Sequence, residues 1–312
     1  MAGTPKALDG LVGRVHAGDS LELMRGMPDR CVDLVVLDPP YWKVVGEKWD
    51  YQWRTIEDYA AWCRLWLREV ERVCKRSASL YLFGYLRNLV HIFRDVCDAG
   101  FDFRQDIVID KGMKSVAGRK TSTYKQFPNV TETILFFVYD AKPAIRELLN
   151  ERKRAAGLTS KEINERLRVK AEGGGMWSIY AGRNILAQVP TAEMWARLEE
   201  VLEFRAPEDL RGFHFKTQMG LTNVWSDISF SERGRIHPTQ KPLPLVERIL
   251  RASSRPGDIV LDPFAGSGTT AAAAVRLGRR CVSFEIDPEI AAKANLRLGA
   301  VPSVSEPCAR WD

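Results

Sequence analysis

An almost wholly apolar run, Val32–Leu37, stops at Asp38-Pro39-Pro40 and constrains the fold more than any other segment. Such a run indicates a strand buried on both faces of a parallel sheet, and proline ends it because it cannot donate to the ladder. Similar strand patterns alternate with helical periodicity, and the alternation predicts an α/β fold with a doubly wound, mostly parallel sheet. The strands are expected at Ser79–Phe83, Arg104–Ile109 and Asn129–Val138, and the helices at Thr55–Lys75 and Leu86–Asp98.

Residues 141–212 interrupt this alternation, because they show helical patterns and no strand pattern. We predict a helical insertion with helices at Ala144–Ala156, Thr159–Val169 and Thr191–Glu203. The alternation then resumes with strands at Ile259–Leu261 and Cys281–Glu285 and helices at Gly268–Leu277 and Pro288–Leu298. The predicted organisation is a core in two halves, 1–140 and 213–300, with the insertion between them and a tail at 301–312.

Composition excludes several classes of protein. With 312 residues, 45% hydrophobic and 28% charged, the chain has the balance of a globular protein and not of a disordered or fibrous one. No apolar run is long enough to cross a bilayer and Met1–Gly10 has no secretory pattern, so a cytoplasmic protein is expected. Six scattered cysteines and four dispersed histidines predict neither a metal site nor a disulfide framework. The net charge of +6 is compatible with a polyanionic partner.

A glycine-rich segment follows the strand near residue 260 and is the first candidate binding site. Leu261–Thr270 predicts a strand, a tight turn and the start of a helix, whose free N–H groups favour a polar or anionic ligand. Glu285 lies 19 residues past Gly266, at the end of the next strand, where an acid can bind ribose hydroxyls. Two alternatives remain at this point: a nicotinamide site, since Gly266, Gly268 and Ala271 fit the dinucleotide fingerprint, or a turn without a ligand.

Asp38-Pro39-Pro40-Tyr41 is the second candidate site. It lies at the carboxyl end of a buried strand, where open α/β sheets bind their ligands. The carboxylate of Asp38 can accept hydrogen bonds from an amino group, and Tyr41 offers a flat face on which a base could stack. The alternative interpretation is that the prolines only end the strand.

Together with His237–Pro242, these two segments resemble the β group of DNA amino-methyltransferases. That family transfers a methyl group from S-adenosylmethionine to an exocyclic amino group of adenine or cytosine. It places its Asp-Pro-Pro-Tyr motif first, a target-recognition region in the middle and its cofactor-binding glycines last, which is the order found here. The resemblance covers residues 12–140 and 213–299, implies the methyltransferase sheet in circularly permuted motif order, and disfavours a nicotinamide enzyme.

The resemblance implies the cofactor S-adenosylmethionine and a set of residues that bind it. The catalytic residues would be Asp38, Pro39, Pro40 and Tyr41. Asp19 would bind the adenine edge, although it could instead cap a helix at Leu21–Met27. The implied cofactor-binding set is Asp19, Asp38, Pro238, Thr239, Gln240, Lys241, Asp262, Phe264, Ala265, Gly266, Ser267, Gly268, Thr269, Glu285 and Ile286.

The implied mechanism needs no covalent intermediate. Asp38 and a backbone carbonyl, that of Pro39, would hold the amino group of a flipped-out base while its nitrogen attacks the methyl group in line. Tyr41–Trp53 is rich in aromatic residues and is expected to form a loop over that base, although Trp49 and Trp53 could equally pack in the core. Methylation at cytosine C5 would need a cysteine nucleophile, and Pro307-Cys308 in the tail does not fit that role.

Two basic segments are candidates for DNA binding. Lys111–Lys125 carries five positive charges and no acid, which suits a phosphate-binding loop but also an ordinary solvated one. Lys142–Lys170 holds nine basic and four acidic residues, and Arg152–Ile163 resembles the first part of a helix-turn-helix, although Gly173–Gly175 departs from that pattern. We expect the insertion to be the target-recognition domain. The predicted DNA-binding residues are Lys111, Lys114, Arg119, Lys120, Lys125, Arg152, Lys153, Arg154 and Lys161.

The sequence therefore predicts a DNA amino-methyltransferase that acts on double-stranded DNA. Adenine N6 is favoured because the motif begins with Asp, and cytosine N4 is the alternative. An RNA amino-methyltransferase and a non-catalytic DNA-binding regulator are the competing hypotheses, the first disfavoured by motif order and the second by the intact Asp38–Tyr41. A monomer or a homodimer is expected, and a cognate restriction endonuclease could accompany it.

Overall fold

The computed structural model describes residues 8–43, 51–113, 125, 127–169, 175–183, 187–217, 219–230 and 240–300. The chain divides into two compact units. The first, here called the core unit, comprises Met1–Val138 and His214–Asp312. The second, here called the helical unit, comprises Tyr139–Phe213.

The core unit is built on one sheet of eight strands in the order β1-β8-β7-β2-β3-β5-β4-β6. β3 and β5 pair antiparallel, whereas β1–β8, β8–β7, β7–β2, β2–β3 and β4–β6 pair parallel. The strands are β1 (Val15–Ala17), β2 (Val32–Leu37), β3 (Cys74–Gly84), β4 (Phe101–Asp110), β5 (Thr131–Tyr139), β6 (Val224–Trp225), β7 (Ile259–Asp262) and β8 (Arg280–Glu285).

Helices of the core unit connect these strands. They are α1 (Ser20–Arg25), α2 (Ile56–Val73), α3 (Leu86–Asp98), α8 (Leu243–Ser253), α9 (Thr269–Arg276) and α10 (Pro288–Gly299). The start of α2 is fixed by a capping box, in which the Asp58 N–H donates to Thr55 Oγ1 over 3.1 Å and the Thr55 N–H donates to Asp58 Oδ2 over 3.2 Å. Its buried face includes Tyr59, Trp66 and Val70 at helical spacing.

The position of β2 in the sheet determines where a ligand can bind. It lies between β3 and β7, which explains its apolar sequence. The chain continues from β2 toward β3 on one side and from β7 toward β8 on the other, so the loops after β2 and β7 diverge. A crevice opens at such a switch point, at the carboxyl ends of the strands.

The helical unit has a hydrophobic core of its own. Its helices are α4 (Lys142–Ala155), α5 (Ser160–Arg166), α6 (Gly175–Ala181) and α7 (Ala192–Val201). Trp195, Leu198 and Ile163 are fully buried at its centre. The buried side chain of Asn164 accepts a hydrogen bond from the Trp177 N–H over 3.0 Å, which joins α5 to α6.

The predicted fold class is confirmed, since the sheet is mostly parallel and flanked by helices. The strand pattern did not reveal β1 and β6, which are three and two residues long, and the helix α8 was also missed. Within the ranges that the structure describes, no helix is long and apolar enough to span a bilayer.

Candidate active site

A cavity of about 450 Å³ lies in the crevice at the carboxyl ends of β2, β7 and β8. It brings together the two segments that the sequence singled out, Asp38–Tyr41 after β2 and Asp262–Gly266 after β7. Most of the predicted cofactor-binding residues line it: Asp19, Asp38, Gln240, Lys241, Asp262, Phe264, Ala265, Gly266, Ser267, Thr269, Glu285 and Ile286. Pro238 and Thr239 lie outside the described residues.

The two glycines after β7 serve different purposes. Gly266 has a φ of +49° and lines the cavity, and a Cβ placed on it would have no heavy atom within 4 Å. That open space lets a ligand approach the backbone. Gly268 is not among the cavity-lining residues. Its φ of +73° and the Cβ of Ala294, 3.0 Å from where a Gly268 Cβ would be, explain why the position needs a glycine.

Glu285 is held at the end of β8 with its carboxylate beside the glycine turn. Its Oε2 accepts from the Gly266 N–H over 2.8 Å and its Oε1 accepts from the Asp287 N–H over 3.0 Å. A carboxylate has about four acceptor positions, so lone pairs remain for two hydroxyl groups of a ligand. This geometry suits the predicted contact with a ribose.

Asp19 caps a helix, as the alternative interpretation predicted. Its Oδ1 accepts from the N–H groups of Leu21 and Glu22 over 2.7 and 3.4 Å, and so it caps α1. The residue also lines the cavity, where its other oxygen can receive a donor from a ligand.

An aromatic wall borders the cavity and was not found from the sequence. The ring of Phe264 packs against Trp62 and Trp66, each with a centroid distance of 5.7 Å. Trp62 is partly exposed and lines the cavity. In the sequence, this wall could have been recognised from the spacing of Tyr59, Trp62 and Trp66, which places them on one face of α2.

Asp38 is the centre of a charged hydrogen-bond network. Its Oδ1 accepts from the Tyr41 hydroxyl over 2.6 Å, and the Lys241 ammonium donates to Oδ1 and Oδ2 over 2.9 and 2.8 Å. Burial lowers the pKa of Lys241, but the charges of Asp38 and Glu132 outweigh it, so the pKa is raised and the ammonium is kept. Lys241, predicted to bind the cofactor, thus also binds the carboxylate of Asp38.

Glu132 completes this network and was missed, because nothing in a strand sequence shows which distant loop it will face. Its Oε1 lies 2.8 Å from the Tyr41 hydroxyl and 3.0 Å from the Lys241 ammonium. Since β5 runs antiparallel to β3, its first residues reach the edge where β2 ends. The lone acid in the apolar segment Thr131–Tyr139 was the only signal in the sequence.

Burial and two neighbouring carboxylates raise the pKa of the Tyr41 hydroxyl well above its ordinary value. Burial is the largest cause, and the negative charges of Asp38 and Glu132 add to it. Tyr41 therefore remains a neutral hydrogen-bond donor at working pH.

Asp262 has a pKa raised to about 7, chiefly by burial, with the charges of Asp38 and Glu285 adding to the effect. The folded protein therefore keeps this proton up to about pH 7, whereas the unfolded chain releases it from about pH 3.8. We expect the free energy of unfolding to fall as pH rises through this window. Asp262→Asn should flatten that fall, because the amide stays neutral.

Chemical denaturation of both proteins at several pH values between 4 and 8 tests this expectation. As pH rises, the free energy of unfolding of the variant should increase relative to that of the wild type. Parallel curves across the window would show that Asp262 is ionised throughout.

The structure places the predicted DNA-binding residues in different settings. Lys111 is turned inward: its ammonium lies 3.6 Å from Glu132 and 3.3 Å from the Tyr85 hydroxyl, and its side chain is 17% exposed. Its ammonium is thus paired within the protein, and its predicted contact with phosphate stays a prediction. Lys125 is exposed, and Lys114, Arg119 and Lys120 lie outside the described residues.

In the helical unit, two of the four predicted residues are exposed. Arg154 and Lys161 are exposed, whereas Arg152 lies over the ring of Phe204 and Lys153 donates to Ser160 Oγ over 2.8 Å. The predicted helix-turn-helix segment forms the end of α4, a turn and the start of α5. The next helix, α6, begins at Gly175, within the glycine run that departed from the pattern.

The sheet is doubly wound, with a glycine turn after one strand and an Asp-Pro-Pro-Tyr segment after the neighbouring strand. This arrangement defines the class of methyltransferases in which the order of these two motifs along the chain is permuted. A family model of DNA methylases that act at N6 or N4 matches residues 32–296. The chain belongs to this family of DNA amino-methyltransferases.

Three individual proteins to which the chain is similar are also described as DNA methyltransferases or methylases. The chain is 29% identical to the DNA adenine methyltransferase YhdJ of Escherichia coli K12 over 279 residues, which is 87% of this chain and 78% of the relative. TTHA0409 of Thermus thermophilus, in complex with S-adenosyl-L-methionine, is similar with a TM-score of 0.54 and 25% identity, covering 94% of this chain and 96% of that one. The cytosine-N4-specific PvuII DNA methyltransferase has a TM-score of 0.54 at 18% identity, covering 91% and 85%, and shares the fold.

S-adenosylmethionine is the cofactor, and it supplies the methyl group when bound. The open space over Gly266 and the acceptor positions of Glu285 and Asp19 fit a nucleoside with a ribose and an amino group. The aromatic wall at Phe264 and Trp62 supplies an apolar surface beside them.

Proposed function

We propose that this protein is a site-specific methyltransferase that modifies adenine N6 in double-stranded DNA. The observation that carries the proposal is the position of Asp38 and Tyr41, which line the same cavity as Phe264, Gly266 and Glu285. The preference for adenine rests on the Asp-led motif and on the adenine-specific relative. Cytosine N4 is the second candidate, since the family includes both activities.

The chemistry follows from the weak nucleophilicity of an aromatic amine. Asp38 would accept one hydrogen of the amino group and the carbonyl of Pro39 the other, which draws the nitrogen toward tetrahedral geometry. Held in this way, the nitrogen attacks the methyl group in line, and positioning and electrostatics supply most of the acceleration. The proton that the nitrogen loses passes to Asp38.

Asp38 lines a cavity within the core unit. The target base must therefore leave the duplex to reach it. Extrusion costs on the order of a few kcal/mol, which contacts in the pocket must offset. The ring of Tyr41, fixed at its hydroxyl by Asp38 and Glu132, would provide the stacking surface. Trp53 packs beside Tyr59 and Trp62 in the structure, and Trp49 lies outside the described residues.

The helical unit would select the target sequence, as the sequence order of the family implies. Its exposed basic residues Arg154 and Lys161 would contact phosphates. Replacing both with Ala should weaken binding to all DNA sequences and reduce the slope of log K against log salt by about 2, since each phosphate contact contributes about 0.9. The control is Arg94→Ala, an 84% exposed arginine on α3. An unchanged slope would remove these two residues from the interface.

The experiment that tests the proposed function uses purified protein, labelled S-adenosylmethionine and unmethylated genomic DNA, followed by nucleoside analysis. Label in N6-methyladenine is the expected result, and sequencing the modified sites would then give the recognition sequence. Label in N4-methylcytosine would keep the mechanism and overturn the choice of base. Transfer to RNA alone would replace DNA as the substrate.

A further inference from the structure

Glu132 is a buried carboxylate beside Tyr41 and Lys241 that takes no part in the transfer step described above. Its side chain is 6% exposed. Taking a carboxylate out of water is costly unless charges and hydrogen bonds compensate, so an acid in this position indicates a functional role. Its nearest partners are the Lys241 ammonium at 3.0 Å, the Tyr41 hydroxyl at 2.8 Å and the Lys111 ammonium at 3.6 Å.

The Lys241 ammonium is shared between two carboxylates. It lies 2.8 Å from Asp38 Oδ2 and 3.0 Å from Glu132 Oε1. With Lys111, the cluster contains two positive and two negative charges and is formally neutral. If Glu132 were uncharged, Asp38 would be the one carboxylate of the cluster left to pair with the Lys241 ammonium.

This balance matters because Asp38 must stabilise a positive charge. The amino nitrogen becomes positive as it attacks, and a carboxylate stabilises that charge only to the extent that a neighbouring ammonium has not already neutralised it. The amino group must also hydrogen-bond to an acceptor that Lys241 occupies on both oxygens. The Lys241 ammonium therefore needs a second carboxylate partner in addition to Asp38.

We propose that Glu132 is a positioning residue for methyl transfer, which shares the Lys241 ammonium with Asp38 and so keeps that ammonium from neutralising Asp38 alone when the target amino group arrives. This inference rests on the proposed function. Glu132 touches neither the base nor the cofactor in this account. It acts through Lys241 and, by sharing the single proton of the Tyr41 hydroxyl with Asp38, through the stacking residue.

The charge states of the cluster agree with this role. Burial raises the pKa of Glu132, but the ammonium groups of Lys241 and Lys111 outweigh burial and lower it below its ordinary value. Glu132 therefore remains negative, and the pKa of Lys241 is raised, so the ammonium is always present to be held.

Glu132→Gln tests the proposal, because the amide keeps the shape and loses the charge. In single-turnover assays at saturating cofactor and DNA, the transfer rate should fall about 10- to 100-fold, the effect of one partly screened charge at about 4 Å. The dissociation constant for S-adenosylmethionine should stay within a factor of about 3. Glu71→Gln, at a paired carboxylate outside the cavity, is the control for the loss of an ion pair.

The double variant Glu132→Gln with Lys241→Met separates charge balance from structure. Removing the ammonium that Glu132 would have held should raise the transfer rate above that of Glu132→Gln and toward that of wild type, because the two mutated residues are coupled. A purely structural role predicts the opposite, namely that the second substitution lowers the rate further. The double variant also keeps the cluster neutral, so it serves as the test if Glu132→Gln alone does not fold.

Fluorescence of 2-aminopurine placed next to the target adenine supplies a readout other than activity, and the target base keeps the amino group that Asp38 receives. The signal of base extrusion should need more protein in Glu132→Gln and return in the double variant. A wild-type rate in Glu132→Gln, or no rescue by Lys241→Met, would overturn the inference while the proposed function stands. Absence of methyl transfer by the wild-type protein would instead overturn the proposed function.

Discussion

Asp38→Ala should abolish methyl transfer while S-adenosylmethionine still binds. The variant loses the acceptor for the target amino group, and loss of one preorganised hydrogen-bonding group costs about 10²- to 10³-fold in rate. Here the loss should be at least this large, since Asp38 also holds the hydroxyl of Tyr41. The rate is measured in a single turnover, and cofactor binding is measured by calorimetry on the same preparation.

Asp33→Asn is the matched control for that variant. Asp33 lies on the same strand, β2, but pairs with Lys75 over 2.6 Å and accepts from the Ile259 N–H outside the cavity. We expect it to change stability and leave transfer unaffected. If Asp38→Ala lost cofactor binding together with transfer, Asp38 would have a structural role in the cofactor site.

Glu285→Ala should weaken binding of S-adenosylmethionine by about 100-fold, because charge-assisted hydrogen bonds contribute about 1.5–3 kcal/mol each. The variant also releases the Gly266 N–H, which Glu285 holds at 2.8 Å, so the glycine turn loses its anchor. The affinity of Glu285→Gln for S-adenosylmethionine should lie between those of Glu285→Ala and the wild type, since the amide oxygen can still accept one hydrogen bond. Calorimetric titration of the free protein measures the affinity without any transfer reaction.

Glu289→Ala is the control, since Glu289 is an exposed acid in the first turn of α10, four residues further along the chain. It should bind the cofactor as the wild type does. Equal affinities for Glu285→Ala and Glu289→Ala would show that the acid at the end of β8 does not contact the ribose.

The sequence predicted those features that depend on local signals. The bounds of β2 follow from its apolar run and the prolines after it, and those of α2 from the capping box of Thr55 and Asp58. The antiparallel pairing of β5 with β3 depends on contacts between distant segments, and no local pattern encodes it.

The features of the site that the sequence did not predict also depend on contacts between distant segments. Glu132 reaches Tyr41 and Lys241 only because β5 is antiparallel, and the sequence separation from Tyr41 is 91 residues. Lys111 looked like part of a basic loop, yet its charge pairs with Glu132. Gly268 fits a binding fingerprint in the sequence, but its packing against Ala294 is visible only in three dimensions.

The most direct test of the central claim is transfer of labelled methyl to a duplex whose target adenine is replaced by purine, which lacks the amino group. The recognition sequence comes from the genomic DNA experiment, and the unmodified duplex is the reference. We expect the purine duplex to bind without being methylated, whereas the adenine duplex should accept one methyl group per target. Methylation of the purine duplex at the same position would contradict the claim that Asp38 presents an exocyclic amino group for transfer.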